Sequence, residues 1–250
     1  MDSSPVTQIS AASALNGRTV LVIGGTSGIG LSAAAQAKAA GAKVIVLGFD
    51  KAGAERVAKE NGFDGFRSAD VTKSATIVEA LADIPHVDHV VLLAGSFVAG
   101  KIVEADVNYL HRAFDERIWA AVHTIRALGD RLAQDGSITF ISGVLADRPN
   151  AWGTSILAAA SAAMEAFARG LVLELAPRRV NTVSPGTTDT PLLSRTLGDN
   201  RDAFVAQLTE KLPLRRLATP AEVGAAIVFL MSNGYMNGET LHVDGGARLI

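Results

Sequence analysis

Near the amino terminus, Gly24-Gly25-Thr26-Ser27-Gly28-Ile29-Gly30 combines what a phosphate group needs: a backbone free of bulk and a switch from extended to helical chain. The apolar stretch Thr19-Val20-Leu21-Val22-Ile23 precedes it and an alanine-rich helical pattern follows. A phosphate approaches such a turn only where side chains are missing, and there it meets free N–H groups and the positive dipole end of the new helix. Gly28 and Gly30 leave that approach open. An ordinary tight turn uses the same glycines, so the flanking strand and helix give the run its meaning.

Further along, short runs of Val, Ile and Leu alternate with longer alanine-rich stretches of helical period. This is the pattern of a parallel sheet covered by helices on both faces. The pattern predicts strands at 18–23, 43–48, 64–67, 88–93, 137–142, 178–183 and 239–243, and helices near 29–40, 51–60, 73–83, 107–133, 152–176, 200–210 and 219–232. Gly41 closes the first helix, and Thr219-Pro220-Ala221-Glu222 opens the last with a capping sequence. Right-handed crossovers make the sheet doubly wound, with its ligand beyond the carboxyl ends of the strands. At 250 residues, without internal repeats, the chain fits one α/β domain over 15–250 behind a tail at 1–14, frayed or strapped across the surface.

Composition narrows the partners. Lys and Arg number 23 against 25 Asp and Glu, a net charge of −2, which argues against the concentrated basic surface that nucleic acid requires. The pairs Arg178-Arg179 and Arg215-Arg216 read as solvated or ion-paired. With no cysteine there is no disulfide, thiolate metal site or cysteine nucleophile, and no metal is expected. The first 16 residues lack the basic-then-apolar order of a signal peptide, and no apolar run is expected to reach membrane-spanning length. A cytoplasmic location follows as the expectation.

The strand ends carry a second set of motifs: Asp70-Val71, Ala94-Gly95, Ser142, Asn181-Thr182-Val183-Ser184-Pro185-Gly186, Thr190-Pro191 and Val243-Asp244-Gly245-Gly246. In this order, and together with the glycine run, they resemble the short-chain dehydrogenase/reductase family in its compact single-domain form, over about residues 15–250. The resemblance implies a Rossmann-type sheet of about seven strands and a nicotinamide dinucleotide. It places Gly24, Gly28, Ile29 and Gly30 on the pyrophosphate, Asp70 and Val71 on adenine, Ala94 and Gly95 along the cofactor, and Pro185, Gly186, Thr188 and Thr190 around the carboxamide. Asp70 reads equally as an N-cap for the next helix. At the end of the second strand Gly48 and Phe49 provide neither the acid that selects a free ribose nor an arginine for a 2′-phosphate. Thr26, Ser27 and Lys51 could contact such a phosphate, which favours NADP, while Asp50 favours NAD.

The catalytic pattern of the family is broken. Its tyrosine and lysine, four residues apart on one helical face, fall on Leu157 and Ser161. No register shift restores them, because the tyrosines are Tyr109 and Tyr235 and no lysine lies between Lys101 and Lys211. The asparagine position of the preceding helix falls near Ala121, the paired asparagines after the fourth strand are Leu92-Leu93, and Ser142 alone survives. Ser142, Ser161 and His123 are therefore the candidate proton carriers, with Asp147 in the next loop behind them. Each has a plainer reading: a backbone-satisfied loop hydroxyl for Ser142, a different helix face for His123, and a pair with Arg148 or solvent for Asp147. Trp119 and Trp152 line the substrate side or an oligomer contact, core packing being the plainer account of Trp119.

Residues 192–212, with Leu192, Leu193, Phe204 and Leu208, read as a mobile lid with an apolar face, and hence a hydrophobic small-molecule substrate. Two functions remain open. One is an NAD(P)H-dependent oxidoreductase of unusual mechanism acting on an apolar carbonyl, enone or imine. The other is a catalytically inactive nucleotide-binding subunit, with lyase, isomerase or cyclase chemistry as a third course. The resemblance implies a homo-dimer or homo-tetramer through the two long helices, or a hetero-oligomer with an active relative.

Overall fold

The computed structural model describes residues 10–250. Residues 1–9, within the expected tail, lie outside it. Ala11–Leu15 forms a short helix, α1, that packs on the last long helix, with Leu15 fully buried.

Seven parallel strands form one sheet in the order β3-β2-β1-β4-β5-β6-β7. They are β1 Thr19–Ile23, β2 Lys43–Gly48, β3 Gly65–Ser68, β4 Val87–Leu92, β5 Leu132–Ile141, β6 Arg179–Pro185 and β7 Thr240–Val243. The order reverses between β1 and β4, so a crevice opens beyond the carboxyl ends of these two strands. Alternation along β1 shows how the sheet is buried on both faces. Leu21 and Ile23 join one core cluster with Phe140 and Met164, while Val20 and Val22 join the other with Ala33, Ala37 and Ile227.

Helices cover both faces: α2 Gly28–Ala39, α3 Lys51–Asn61, α4 Ser74–Leu81, α5 Val107–Phe114, α6 Ala120–Leu128, α7 Ser155–Glu174, α8 Pro191–Leu197, α9 Arg201–Lys211 and α10 Pro220–Ser232. Ala33, Ala34 and Ala37 let α2 lie close to the sheet. Beside it on the same face of the sheet, α10 meets α2 at Gly224, where a β-carbon would stand 2.8 Å from Ser32 Oγ. Thr219 and Glu222 form the capping box expected for α10, and Gly41 follows α2 at φ +87°.

Four expectations need correction. The helix expected at 107–133 is divided by a π turn over Asp115–Trp119 and ends at Leu128. After it the chain enters β5 at Leu132, which pairs with Val87 before a register irregularity restores regular pairing at His89 and Ser137. The polar stretch Gln134-Asp135-Gly136 concealed that early start. The helix expected at 200–210 is present as α9, preceded by α8 and a short 3-10 turn. At 20 residues α7 is long and apolar enough to cross a membrane, contrary to expectation, but it packs on β5 and β6 through Met164, Ala168 and Leu171 as a core helix. Arg179 is neither solvated nor ion-paired: it is buried and donates to the carbonyls of Leu230, Met231 and Met236. Arg216 does form the expected ion pair, with Glu222 at 2.6 Å.

Candidate functional site

The β1–α2 turn is built by contacts that admit no side chain. A β-carbon on Gly30 would fall 2.0 Å from the Gly24 carbonyl oxygen, and one on Gly24 would fall 2.7 Å from the Ala94 nitrogen. Gly24 at φ +85° and Gly28 at φ +53° have a backbone conformation that favours glycine. Gly24 N–H donates to the Leu47 carbonyl at 2.8 Å, which ties the turn to β2. Ser27, in the N-cap position of this 12-residue helix, makes no side-chain cap bond, so its hydroxyl does not occupy the first N–H groups of α2.

The turn borders a cavity of about 830 Å³. Of the expected cofactor residues, Gly24, Thr26, Ser27, Gly28, Ile29, Gly30, Phe49, Asp70, Val71, Ala94, Gly95 and Thr190 line it. Pro185, Gly186 and Thr188 do not. Gly186 is pressed against the Asp244 backbone, where a β-carbon would be 2.9 Å from Asp244 Cα, and the buried Thr188 hydroxyl donates to the Gly186 carbonyl at 3.0 Å. Thr190 reaches the cavity as the N-cap of α8, its hydroxyl accepting from Leu193 N–H.

At the far end of the cavity, Phe49 stands 81 % exposed at the rim. Asp50 is turned away: its carboxylate accepts from Gly53 N–H at 2.6 Å and caps α3. Asp70 does not cap α4, whose N-cap is Lys73. Its carboxylate instead accepts from the Thr72 N–H and hydroxyl, at 3.1 and 2.6 Å, and pairs with Lys73 at 3.3 Å. The Thr72 hydroxyl chiefly, with Lys73 in support, holds the Asp70 carboxyl below its ordinary range.

The other end of the crevice differs in kind. Leu157 and Ser161 are buried one turn apart on α7, as the spacing requires. Ser142, expected as the surviving family residue, turns toward α7: its hydroxyl donates to Glu165 Oε1 at 2.6 Å and lies 3.1 Å from the Ser161 carbonyl oxygen. Gly143 borders the open space, since a β-carbon there would meet only the Pro185 carbonyl oxygen, at 3.9 Å. His123 lies on α6 beside the ring of Trp119, with centroids 6.4 Å apart, and is not among the cavity residues. Asp147 pairs with His242 at 3.2 Å and not with Arg148. Core packing does not hold for Trp119, which is half-exposed, while Trp152 stacks edge-on against Phe204 of α9 at 5.7 Å.

The π turn changes which residues of the long helix face the strand ends. Ala121, expected at the asparagine position, is fully buried in the core, and Glu116 and Arg117 meet the chain after β4 instead. Glu116 Oε2 accepts from Ser96 N–H and hydroxyl at 2.5 and 2.7 Å, and its other oxygen holds Arg112. Arg117 donates to the Ser96 carbonyl at 3.1 Å and lies under Gly95, where desolvation lowers its pKa. Together they grip Ser96 at N–H, hydroxyl and carbonyl. The extra residue of a π turn moves these side chains off regular helical phase, so periodicity alone did not find them.

Sequence reasoning also missed the contribution of α8. Pro191, Leu192 and Arg195 line the cavity, and their helical spacing is legible once Thr190-Pro191 is read as a helix start.

A family model described as Enoyl-(Acyl carrier protein) reductase matches residues 23–248. The chain is 32 % identical to the short-chain dehydrogenase/reductase ATR9 of Stachybotrys chlorohalonatus, over 94 % of this chain and 98 % of that one. It is 30 % identical to carbonyl reductase family member 4 of Danio rerio, over 93 % and 99 %. Among solved structures, a small-chain dehydrogenase in complex with NADPH superposes with a TM-score of 0.80 at 32 % identity, covering 94 % of this chain and all of that one.

Proposed function

Because the chain belongs to the short-chain dehydrogenase/reductase family, we propose that it is an NADP(H)-dependent oxidoreductase acting on an apolar carbonyl, enone or imine without the family's tyrosine and lysine. The observation that carries the reading is the β1–α2 turn, where Gly30 and Gly24 touch so closely that no side chain fits and the Ser27 side chain leaves the amino end of α2 uncapped. Such a turn accommodates the pyrophosphate of a dinucleotide. The resemblance to a dehydrogenase solved with NADPH supports the same cofactor class.

NADP is favoured over NAD because Asp50, the carboxylate that follows β2, is occupied by its own helix. Lys51, Arg67 and Lys73 line the hollow beyond Phe49 together with Asp70, Glu79 and Asp83, so a cation for a 2′-phosphate there is one that no carboxylate holds. Arg67 is paired with Asp83 and Lys73 with Asp70, so Lys51 is the cation there with no carboxylate partner among the described residues.

When bound, the nicotinamide supplies or accepts a hydride. The residues of this chain bind and orient it, with Ile141 lining the cavity and Leu157 and Ser161 standing where the family presents its tyrosine and lysine. Alignment of reactants is worth about 7–11 kcal/mol and a positioned acid about 10²- to 10⁴-fold, so hydride transfer survives the loss of the acid for a substrate that needs none. An imine already protonated, or an aromatic ketone bearing its own hydroxyl, meets that condition.

One observation favours the second reading, an inactive nucleotide-binding subunit: the Ser142 hydroxyl is committed to Glu165. The two are separated by titrating the protein with NADPH and NADH and following cofactor consumption across ketone, enone and imine panels. Binding with turnover supports the oxidoreductase, binding without turnover supports the subunit, and no binding defeats both.

A further inference from the structure

We propose that Arg195 of α8 is the cation that closes over the pyrophosphate of the bound dinucleotide, an inference that rests on the nucleotide reading above. The cations lining the cavity are Lys73, Arg112 and Arg195. Lys73 is paired with Asp70 at 3.3 Å and Arg112 with Glu116 at 2.6 Å. Among the described residues, no carboxylate lies within ion-pair distance of Arg195.

Its placement is set by the helix that carries it. Thr190 and Pro191 at the start of α8 lie against the glycine turn, where a β-carbon on Gly28 would be 3.2 Å from Thr190 Cγ2. Pro191 and Arg195 are one turn apart and share the face of α8 that borders the cavity. On the far side of α8 the segment is fastened by Arg201 to Asp189 at 2.6 Å and by the Trp152–Phe204 ring contact. The guanidinium is thus carried across from the α2 amino terminus on a helix docked to the same turn.

The chemistry calls for such a group. A pyrophosphate brings two negative charges, and the glycine turn offers only N–H dipoles and the partial charge of one helix end. A guanidinium presents paired N–H donors that match two phosphate oxygens. The Phe49 end, where a 2′-phosphate would lie, has its own cation in Lys51, which leaves Arg195 to the pyrophosphate.

The test is calorimetric titration of the wild type, Arg195→Ala and Arg195→Lys with NADPH, NADH and ADP-ribose, the last carrying the pyrophosphate but neither nicotinamide nor 2′-phosphate. Arg195→Ala is expected to weaken all three by about tenfold, with partial recovery in Arg195→Lys, which restores the charge but not the paired donors. Unchanged affinity for ADP-ribose overturns the proposal, and so does a loss confined to NADPH, which would place Arg195 on the 2′-phosphate. If the wild type binds none of the three, the nucleotide reading fails as well, whereas wild-type binding with an indifferent variant defeats the clamp alone. Circular dichroism verifies folding, and Arg195→Gln, which keeps most of the aliphatic stem and removes the charge, stands in should Arg195→Ala unfold.

Discussion

At the β1–α2 turn the groups that face a ligand are backbone N–H bonds and missing side chains, whereas at the β5–α7 corner every group that could act on a substrate would have to be a side chain. The first end keeps contacts as tight as the 2.0 Å between a Gly30 β-carbon and the Gly24 carbonyl, and so cannot change gradually. The second holds Leu157 and Ser161 at the positions where the family resemblance places reactive groups, on an intact helix beside an intact strand. A site made of backbone is tied to the fold, while a site made of side chains can be rewritten on it.

The strongest way to break the contrast is to rebuild the second end. Gly143 has extended backbone at φ 170°, ψ 160° and open space before it, so Gly143→Ser combined with Leu157→Tyr and Ser161→Lys is expected to fold. Reduction of simple ketones should then rise by about 10²- to 10⁴-fold, measured as NADPH consumption. The double variant Leu157→Tyr, Ser161→Lys, which leaves the native Ser142 as the serine at this strand end, should give less, because the Ser142 hydroxyl points to Glu165.

A weaker scaffold under one end would be a rival account of the contrast, and acid unfolding tests the strands that both ends share. His89 on β4 is buried against the Ser137 hydroxyl at 2.8 Å, and burial first, then Arg179, pushes its pKa down to about 4. The unfolded chain binds the proton more readily, so stability is full above pH 6.5 and falls as pH drops toward 4, by up to about 3 kcal/mol. Denaturant melts across that range should show the slope, and His89→Asn should flatten it.

Next in size is the backbone end itself. Gly30→Ala should destabilise the protein by about 1–3 kcal/mol and abolish NADPH binding, since the turn must open to admit the methyl group. Retention of NADPH affinity in that variant would show that the turn does not cradle the cofactor. The smallest effects are expected from the side chains that looked reactive in sequence: Ser142→Ala and His123→Ala should each change turnover less than about twofold, a proton-relay role being worth at least 10²-fold. A larger loss in either returns that residue to the chemistry.

Much of this molecule was legible before folding was considered. The seven strands, the glycine turn, the Thr219 capping box and the missing tyrosine and lysine are local patterns, written in residues close together in sequence. The errors lie where distant segments meet. Ser142 was readable as a strand-end serine, but its direction depends on Glu165, a residue 23 positions away on another helix. Ala121 stood at the expected helical spacing until the π turn put Glu116 and Arg117 against Ser96. Asp50 and Asp70 were both readable as acids near the nucleotide, and short-range hydrogen bonds to Gly53 and Thr72 fixed where each carboxylate points.

Hydrophobic period and glycine placement depend on the chain's own stereochemistry, so composition in order was enough to determine a doubly wound sheet with an open-backed turn at its switch point. Which side chains face one another across the crevice depends on the phase of each helix and the exact end of each strand. A single inserted residue or a one-position turn reverses those, and only the packed chain decides them.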